Sequence, residues 1–416
     1  MSNGVIEGPA VVGAGIVGVC TALYLQRRGQ SVTLYDPGGP AAGASYGNAG
    51  LISPESCVPI AMPGILRKLP GWLLDPEGPL AIDRRYLPRA APWLLRLMRA
   101  GRRSQVLRIA KALRALHAPA FEAYRDLLGD RTFEELIRVS GHVQIWNGDA
   151  GSELAPLVRE IFEANDVRAE PLGADDLRQL VPDLAKNVAG GLLLPNNGMT
   201  LNPRRLVETL CDIFVAAGGT LRREKVMKLV PEDTRRIRVL ANQGDRRHEA
   251  VVVAAGAWSR GLLRSLGLVP PLDTERGYHA MIEDPGLDLR IPVLHKGLGF
   301  GATPMEHGLR LAGTVEFAGL SAPPNEKRAR KLLEHGCRLF PKLQTSKISM
   351  WMGFRPSMPD SLPVIDTAPS HPGIFMGFGH GHFGMTGGPT TARALARLMT
   401  GERPGLDLAP YALSRF

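Results

Sequence analysis

Cysteine is scarce in this chain, and what there is does not cluster. Cys20, Cys57, Cys211 and Cys337 are scattered and form no CxxC pair. That argues against a zinc site and against a disulfide framework, so no metal is expected and the thiols fit a reduced, cytoplasmic setting. No apolar run reaches the roughly 20 residues that span a bilayer. The segment before Ala10 lacks the basic and apolar stretches of a secretory signal, so none is expected. Internal repeats and low-complexity tracts are also missing. Charged residues make up only 22% of the chain and hydrophobic ones 44%, which separates it from disordered sequences. With 416 residues, the core is larger than one compact domain usually holds.

What is present is glycine, in particular places. The apolar run Ala10-Val11-Val12 leads into Gly13-Ala14-Gly15-Ile16-Val17-Gly18 and then a helical stretch closed by Gly29. Residues 31–35 alternate like a strand and stop at Asp36-Pro37. This is a β-α-β unit with a dinucleotide fingerprint. Gly13 permits the tight turn, Gly15 lets a pyrophosphate approach the backbone, and Gly18 lets helix and strand pack closely. The helix N-terminus offers unpaired N–H groups and a positive dipole end to the phosphates. Asp36 would accept hydrogen bonds from ribose hydroxyls, and its charge argues against a 2′-phosphate. NAD and FAD share this fingerprint. Here, however, the chain leaves the unit for a Gly-rich loop (residues 38–50) and a long helical insertion. A buried run reaches Ala255-Gly256-Ala257-Trp258 some 240 residues later, and a third glycine-rich turn comes near the C-terminus. A sheet assembled from both ends and the middle of the chain points to FAD.

Four segments carry a family resemblance: Val12 to Gly18; Ala44-Ser45-Tyr46-Gly47-Asn48-Ala49-Gly50-Leu51-Ile52-Ser53-Pro54; Trp351-Met352-Gly353-Phe354-Arg355-Pro356; and Gly377 to Thr386. In this order they resemble the D-amino acid oxidase superfamily of FAD flavoproteins, most closely the bacterial D-amino acid dehydrogenases. The sequence departs from the pattern at Asp366, where such chains often carry Gly. The resemblance implies an α/β fold: a glutathione-reductase-type, Rossmann-like FAD domain from residues 1–57, 185–265 and 350–416, and a β-sheet-based substrate domain from 58–184 and 266–349. It implies non-covalent FAD, a small amino acid substrate, and electrons passed to a quinone or another non-oxygen acceptor. The expected reaction is oxidative deamination of a D-amino acid. D-Proline or cis-4-hydroxy-D-proline as substrate, or oxidation of glycine or an N-methyl amino acid by oxygen, are the alternatives.

The resemblance also implies roles. Arg355 would hold the substrate carboxylate through its planar fork, or else serve a salt bridge. Tyr278 would add a hydrogen bond to that carboxylate, or be a half-buried strand tyrosine. Tyr46 would lie near the ring or substrate. Ser45, Asn48, Ala49, Gly50 and Leu51 would flank the flavin. Val226 would touch adenine, and Ala255, Gly256 and Trp258 would shield the pyrophosphate. The N–H groups around Gly381, His382, Phe383, Gly384, Met385 and Thr386 would stabilise negative charge on the ring. His382 would touch the substrate or only bond within its loop. His295 and Lys296, on a strand and without a partner at ligand spacing, read as structural.

Charge is uneven as well. Between Ile60 and Arg114 twelve Lys or Arg face three Asp or Glu, giving +9 of the chain's net +10. Within residues 60–103, Trp72-Leu73-Leu74 and Pro92-Trp93-Leu94-Leu95-Arg96 interleave apolar and cationic side chains. That composition suits a peripheral contact with the inner face of the cell membrane, or a helix packed on the flavin domain with a solvated basic face. Nucleic-acid binding has no supporting motif.

Overall fold

The computed structural model of the protein describes residues 6–64, 78, 80–147, 155–234 and 236–416. The labels used below follow chain order. The N-terminal unit is β1 (Ala10–Val12), α1 (Ile16–Gln26) and β2 (Thr33–Tyr35). The insertion contributes α2 (Leu87–Ala100), α3 (Arg103–His117) and α4 (Ala120–Leu128). There follow β3 (His142–Asn147), β4 (Glu170–Gly173), β5 (Val188–Leu194), α5 (Pro203–Ala216), β6 (Thr220–Arg222) and β7 (Val251–Val253). Then come β8 (Asp273–Ile282), β9 (Val293–His295), β10 (Phe300–Met305), β11 (Gly308–Phe317) and α6 (Glu326–Leu339). The chain closes with β12 (Ile348–Ser357), β13 (Val364–Ala368), β14 (His371–Phe378) and α7 (Gly384–Met399).

Two large sheets organise these elements. The first has the order β6-β2-β1-β7-β14-β13 and is parallel except for β13. Its central strands are runs of valine buried on both sides, as a sheet covered on both faces requires. Three distant segments meet here in register: Val11 opposite Leu34 and Val252, and Val252 opposite Phe375. Helix α1 is buried along its length and packs between this sheet, α5 and α7. Gly388 of α7 lets Ile16 and Val17 approach closely.

The second sheet runs β12-β8-β11-β10-β9-β3-β5-β4. Its two faces differ. Tyr278, Ile282, Phe300, Leu309 and Leu311 point to one side and pack with Leu332 and Leu339 of α6. Glu275, Gly277, His279 and Arg355 point to the other side, toward the first sheet's loops. The sheets divide the chain differently from the expected partition at two places. β5, expected in the cofactor domain, pairs with β3 and β4. β12, also expected there, pairs along its full length with β8. A long strand completes its main-chain hydrogen bonds where a partner of equal length exists, and β8 is that partner.

The basic insertion is a packed element. Trp93 and Leu97 of α2 are buried, Trp93 packs at a tilt on Phe317 with centroids 5.0 Å apart, and its indole N–H donates to the Ser357 carbonyl. Leu95 and the face bearing Arg89 and Arg99 are exposed. Trp72-Leu73-Leu74 lies outside the described residues. No helix among the described residues is long and apolar enough to cross a membrane.

Candidate active site

The fingerprint turn behaves as the glycine spacing predicts. Gly13 adopts φ +110°, and a Cβ there would lie 2.4 Å from the Ala254 carbonyl oxygen. At Gly18 a Cβ would come within 1.8 Å of the Gly13 carbonyl oxygen, so only glycine allows this contact between helix and turn. Gly15 is open, with only Ser45 Oγ nearby. The Asp36 carboxylate accepts hydrogen bonds from the N–H groups of Ala14 and Gly38, both at 2.9 Å. Burial raises its pKa, opposed by those N–H bonds. Ser45 Oγ accepts from the Ile16 N–H at 3.1 Å, tying the loop to the N-terminus of α1.

These groups border a cavity of about 530 Å3. Of the expected cofactor residues it is lined by Gly13, Gly15, Ile16, Val17, Asp36, Ser45, Asn48, Val226, Ala255, Gly256, Trp258, Gly381, Gly384 and Met385. Others are placed elsewhere. Gly18 and Ala14 pack behind the turn. Gly50 and Leu51 lead away into a short strand pairing with Gly198–Thr200. Phe383 packs at a tilt against His117, and the Thr386 hydroxyl accepts from the Ser53 N–H. The departure at Asp366 has a structural use: its carboxylate accepts from the N–H groups of Thr367 and Leu413, pinning the C-terminal segment.

Beyond the cavity lies the free face of the second sheet. Arg355 lies across β8 directly over Gly277, where a Cβ would come within 2.1 Å of its guanidinium carbon. It donates to the carbonyls of Thr314 (2.8 Å) and Gly313 (3.4 Å) on β11. Thr314 sits at a bulge with φ +56°, one extra residue relative to β8. No carboxylate among the described residues is within ion-pair distance of Arg355. Glu275, its cross-strand neighbour, is buried; Ser357 Oγ donates to its Oε1 at 2.6 Å. Its Oε2 has no hydrogen bond and lies 3.4 Å from His382 Nε2. Burial raises the Glu275 pKa, opposed by the Ser357 bond and the Arg355 charge. Burial, then the nearby charges of Arg355 and Lys296, push the His382 pKa down to about 3, so the ring is neutral.

Tyr278 is not part of this face. It lies on the α6 side, donates to Glu316 at 2.5 Å and accepts from the Asn325 N–H. The reason is the two-residue period of a strand: Glu275, Gly277 and His279 face one way, Arg276 and Tyr278 the other. Tyr46 is at the rim, packed on Trp351 with centroids 5.7 Å apart. His279 stacks on Trp351 and donates from Nδ1 to the Gly47 carbonyl at 3.1 Å, while Arg310 donates to the carbonyls of Tyr46 and Asn48. Glu275, His279, Trp351 and Arg310, which adjoin Arg355 or the flanking loop, were not singled out from the sequence. Alternation from Gly277 would have found the first two; nothing local marks the others.

The arrangement is a cavity lined by the dinucleotide fingerprint, joined to a sheet face that carries the Arg355 guanidinium, with the neutral His382 ring beside it. The model of the FAD dependent oxidoreductase family matches residues 10–398. The chain belongs to this family, the D-amino acid oxidase superfamily. A relative named D-amino-acid oxidase, from Bradyrhizobium diazoefficiens, is 41% identical over 416 residues, covering 98% of each chain. The D-amino acid dehydrogenase of Rhizobium rhizogenes is 29% identical, over 98% of this chain and 99% of that one. The solved L-proline dehydrogenase of P. horikoshii superposes with a TM-score of 0.76 at 18% identity, over 99% of this chain and 98% of that one. The flavoprotein's cofactor is FAD, and the cavity fits it: an open cradle at Gly15, no atom within 4 Å of a Cβ at Gly256, and a carboxylate at Asp36 for ribose.

Proposed function

We propose that this flavoprotein oxidises D-amino acids to imino acids that water hydrolyses to keto acids. The coarser activity, FAD-dependent oxidation or dehydrogenation of amino acids, follows from its family and relatives. Bound FAD supplies the hydride acceptor. The observation that carries the reading is Arg355: a guanidinium held by two main-chain carbonyls, with no carboxylate of its own, beside a neutral imidazole. It binds the substrate carboxylate and fixes the position of Cα. The substrate reacts as the neutral amine, having lost its proton to solvent, and the neutral His382 ring beside Glu275 orients it by a hydrogen bond. Gly13, Gly15, Asp36, Ser45, Asn48, Val226, Ala255 and Gly256 hold the cofactor, with Trp258 and the turn at residues 381–385 closing over it. Tyr46 guards the entrance.

Support for the D configuration comes from the 41% and 29% relatives. For the acceptor, a quinone or another non-oxygen carrier is the reading that the dehydrogenase relatives favour. Oxygen is the second reading, favoured by the name of the 41% relative. The test is anaerobic bleaching of the purified yellow protein by paired D- and L-amino acids, followed by a peroxide assay in air. Bleaching by D-amino acids that Arg355→Ala weakens about 10²- to 10³-fold supports the proposal. Equal bleaching by both enantiomers, or an undiminished rate in the variant, would overturn it.

A further inference from the structure

Glu275 stands on the same sheet face as Arg355 with one of its two oxygens unused. It is 2% exposed and lies directly across from Arg355 in the pairing of β8 with β12. Ser357, two residues beyond Arg355, donates to its Oε1 at 2.6 Å. Oε2 is buried and accepts no hydrogen bond among the described residues. A buried acceptor without a donor is costly, so any N–H placed against it matters. The group that faces it is the His382 ring, with Nε2 3.4 Å away. A small turn of the imidazole closes that gap to a hydrogen bond.

The approach is built into the backbone. Strand β12 ends at Ser357, whose main chain bridges to His380, and the Phe383 N–H donates back to the His380 carbonyl at 2.9 Å. His382 sits between these on a single turn, residues 381–383, entered through Gly381 at φ +52°. Ser357 thus fixes both the carboxylate and the turn that carries the imidazole. The two side chains differ in access. Glu275 is sealed, whereas His382 keeps 33% of its side chain exposed. Glu275 therefore cannot meet a substrate itself and acts only through the ring. The other ring nitrogen, Nδ1, makes no hydrogen bond among the described residues.

A neutral imidazole carries one proton, on either nitrogen. An ionised carboxylate only accepts, so it selects the form with Nε2–H and leaves a lone pair on Nδ1. That choice has a chemical consequence. An amine that donates an N–H to Nδ1 keeps its own lone pair free for the C=N bond that forms as Cα loses hydride. The opposite form would donate Nδ1–H to that lone pair and oppose the reaction.

We propose that Glu275 is a positioning residue: it accepts from the Nε2–H of His382, fixes the tautomer, and so makes Nδ1 the acceptor for the substrate amine. This rests on the reading of the Arg355 face as the substrate site. No proton changes hands between Glu275 and His382.

The experiment uses the FAD-loaded protein with isotopically labelled histidine rings. Nitrogen NMR reads the tautomer directly, and the His382 signals are those lost in His382→Gln. The wild type should show a protonated Nε2 and a bare Nδ1. Glu275→Gln, whose amide can accept or donate, should give a mixture. The second readout compares kcat for the fastest D-amino acid of the bleaching panel with the binding of the same carbon skeleton lacking the amine, followed by its perturbation of the flavin spectrum. Glu275→Gln should lower kcat about 10- to 100-fold, the worth of a hydrogen bond to a charged group. The acid without the amine should bind no more weakly, because Arg355 keeps its two main-chain carbonyls. A wild-type ring protonated on Nδ1, as a donating Glu275 would produce, overturns the proposal. So does an unchanged kcat in Glu275→Gln, or a loss of acid binding as large as the loss in kcat. If Glu275→Gln does not fold, the wild-type tautomer decides alone. If Nε2 carries the proton but no amino acid bleaches the flavin, the oxidase reading fails while the pairing of Glu275 with His382 stands.

Discussion

At the cofactor end of the site, the fingerprint groups lie between residues 13 and 48 and act largely through the main chain. At the proposed substrate end, Arg355 and Glu275 lie on one face of a sheet, His382 comes from a turn beside it, and the three meet through side chains. The difference shows in what glycine does. At Gly18 it allows two backbones of the same unit to touch, a contact between neighbours in sequence. At Gly277 it clears a path for a side chain that arrives from a strand nearly eighty residues later. The first kind of glycine belongs to a local motif. The second has meaning only once β8 and β12 are paired.

The sharpest way to break this comparison is to make the same change at both ends. Gly18→Ala puts a methyl against a backbone oxygen that cannot move aside. It should cost about 1–3 kcal/mol or more of stability and yield protein without flavin absorbance, read as the ratio of visible to ultraviolet absorption. Gly277→Ala displaces only the guanidinium. It should keep the flavin and the melting temperature while raising KM for the amino acid about 10- to 100-fold, the worth of one charge-assisted contact. If Gly277→Ala also loses flavin, the two ends are not separable.

A pH titration of stability tests whether five histidines of the fold sit in desolvated surroundings. Burial pushes the pKa values of His142, His279, His380 and His382 down to about 3 and that of His117 to about 4. In the unfolded chain each would be near 6.5. Below pH 6.5 the unfolded state therefore binds more protons, so stability is complete above that value and falls as pH drops toward 4, by up to about 1.4 kcal/mol per pH unit per histidine. Asp36, Asp273 and Glu275, whose pKa values burial raises, act with the opposite sign and blunt the loss. Denaturant midpoints from pH 7.5 to 4 read the net slope; a flat profile would mean these rings are solvated. The smallest expected effect is at the rim. The Tyr46 hydroxyl has no hydrogen bond among the described residues, and its ring keeps its packing on Trp351 in Tyr46→Phe. That variant should change kcat/KM less than about twofold, because no polar contact is lost.

The sequence by itself determined the cofactor and the family. Gly13, Gly15, Gly18 and Asp36 are close in the chain, and their spacing is set by turn geometry and the pitch of one helix, so the motif survives reading in one dimension. Arg355 was legible for another reason, through a resemblance in the residues around it. Tertiary structure alone decided which way the substrate strand faces. A strand alternates, but whether Tyr278 or Glu275 meets the substrate depends on which side α6 covers, and that helix begins more than forty residues later. It also decided that Trp93 and Leu97 of α2 are buried, with Trp93 against Phe317. Each of these is a matter of registry between distant strands and of where helices lie. Packing sets those relations, and no short stretch of chain contains them.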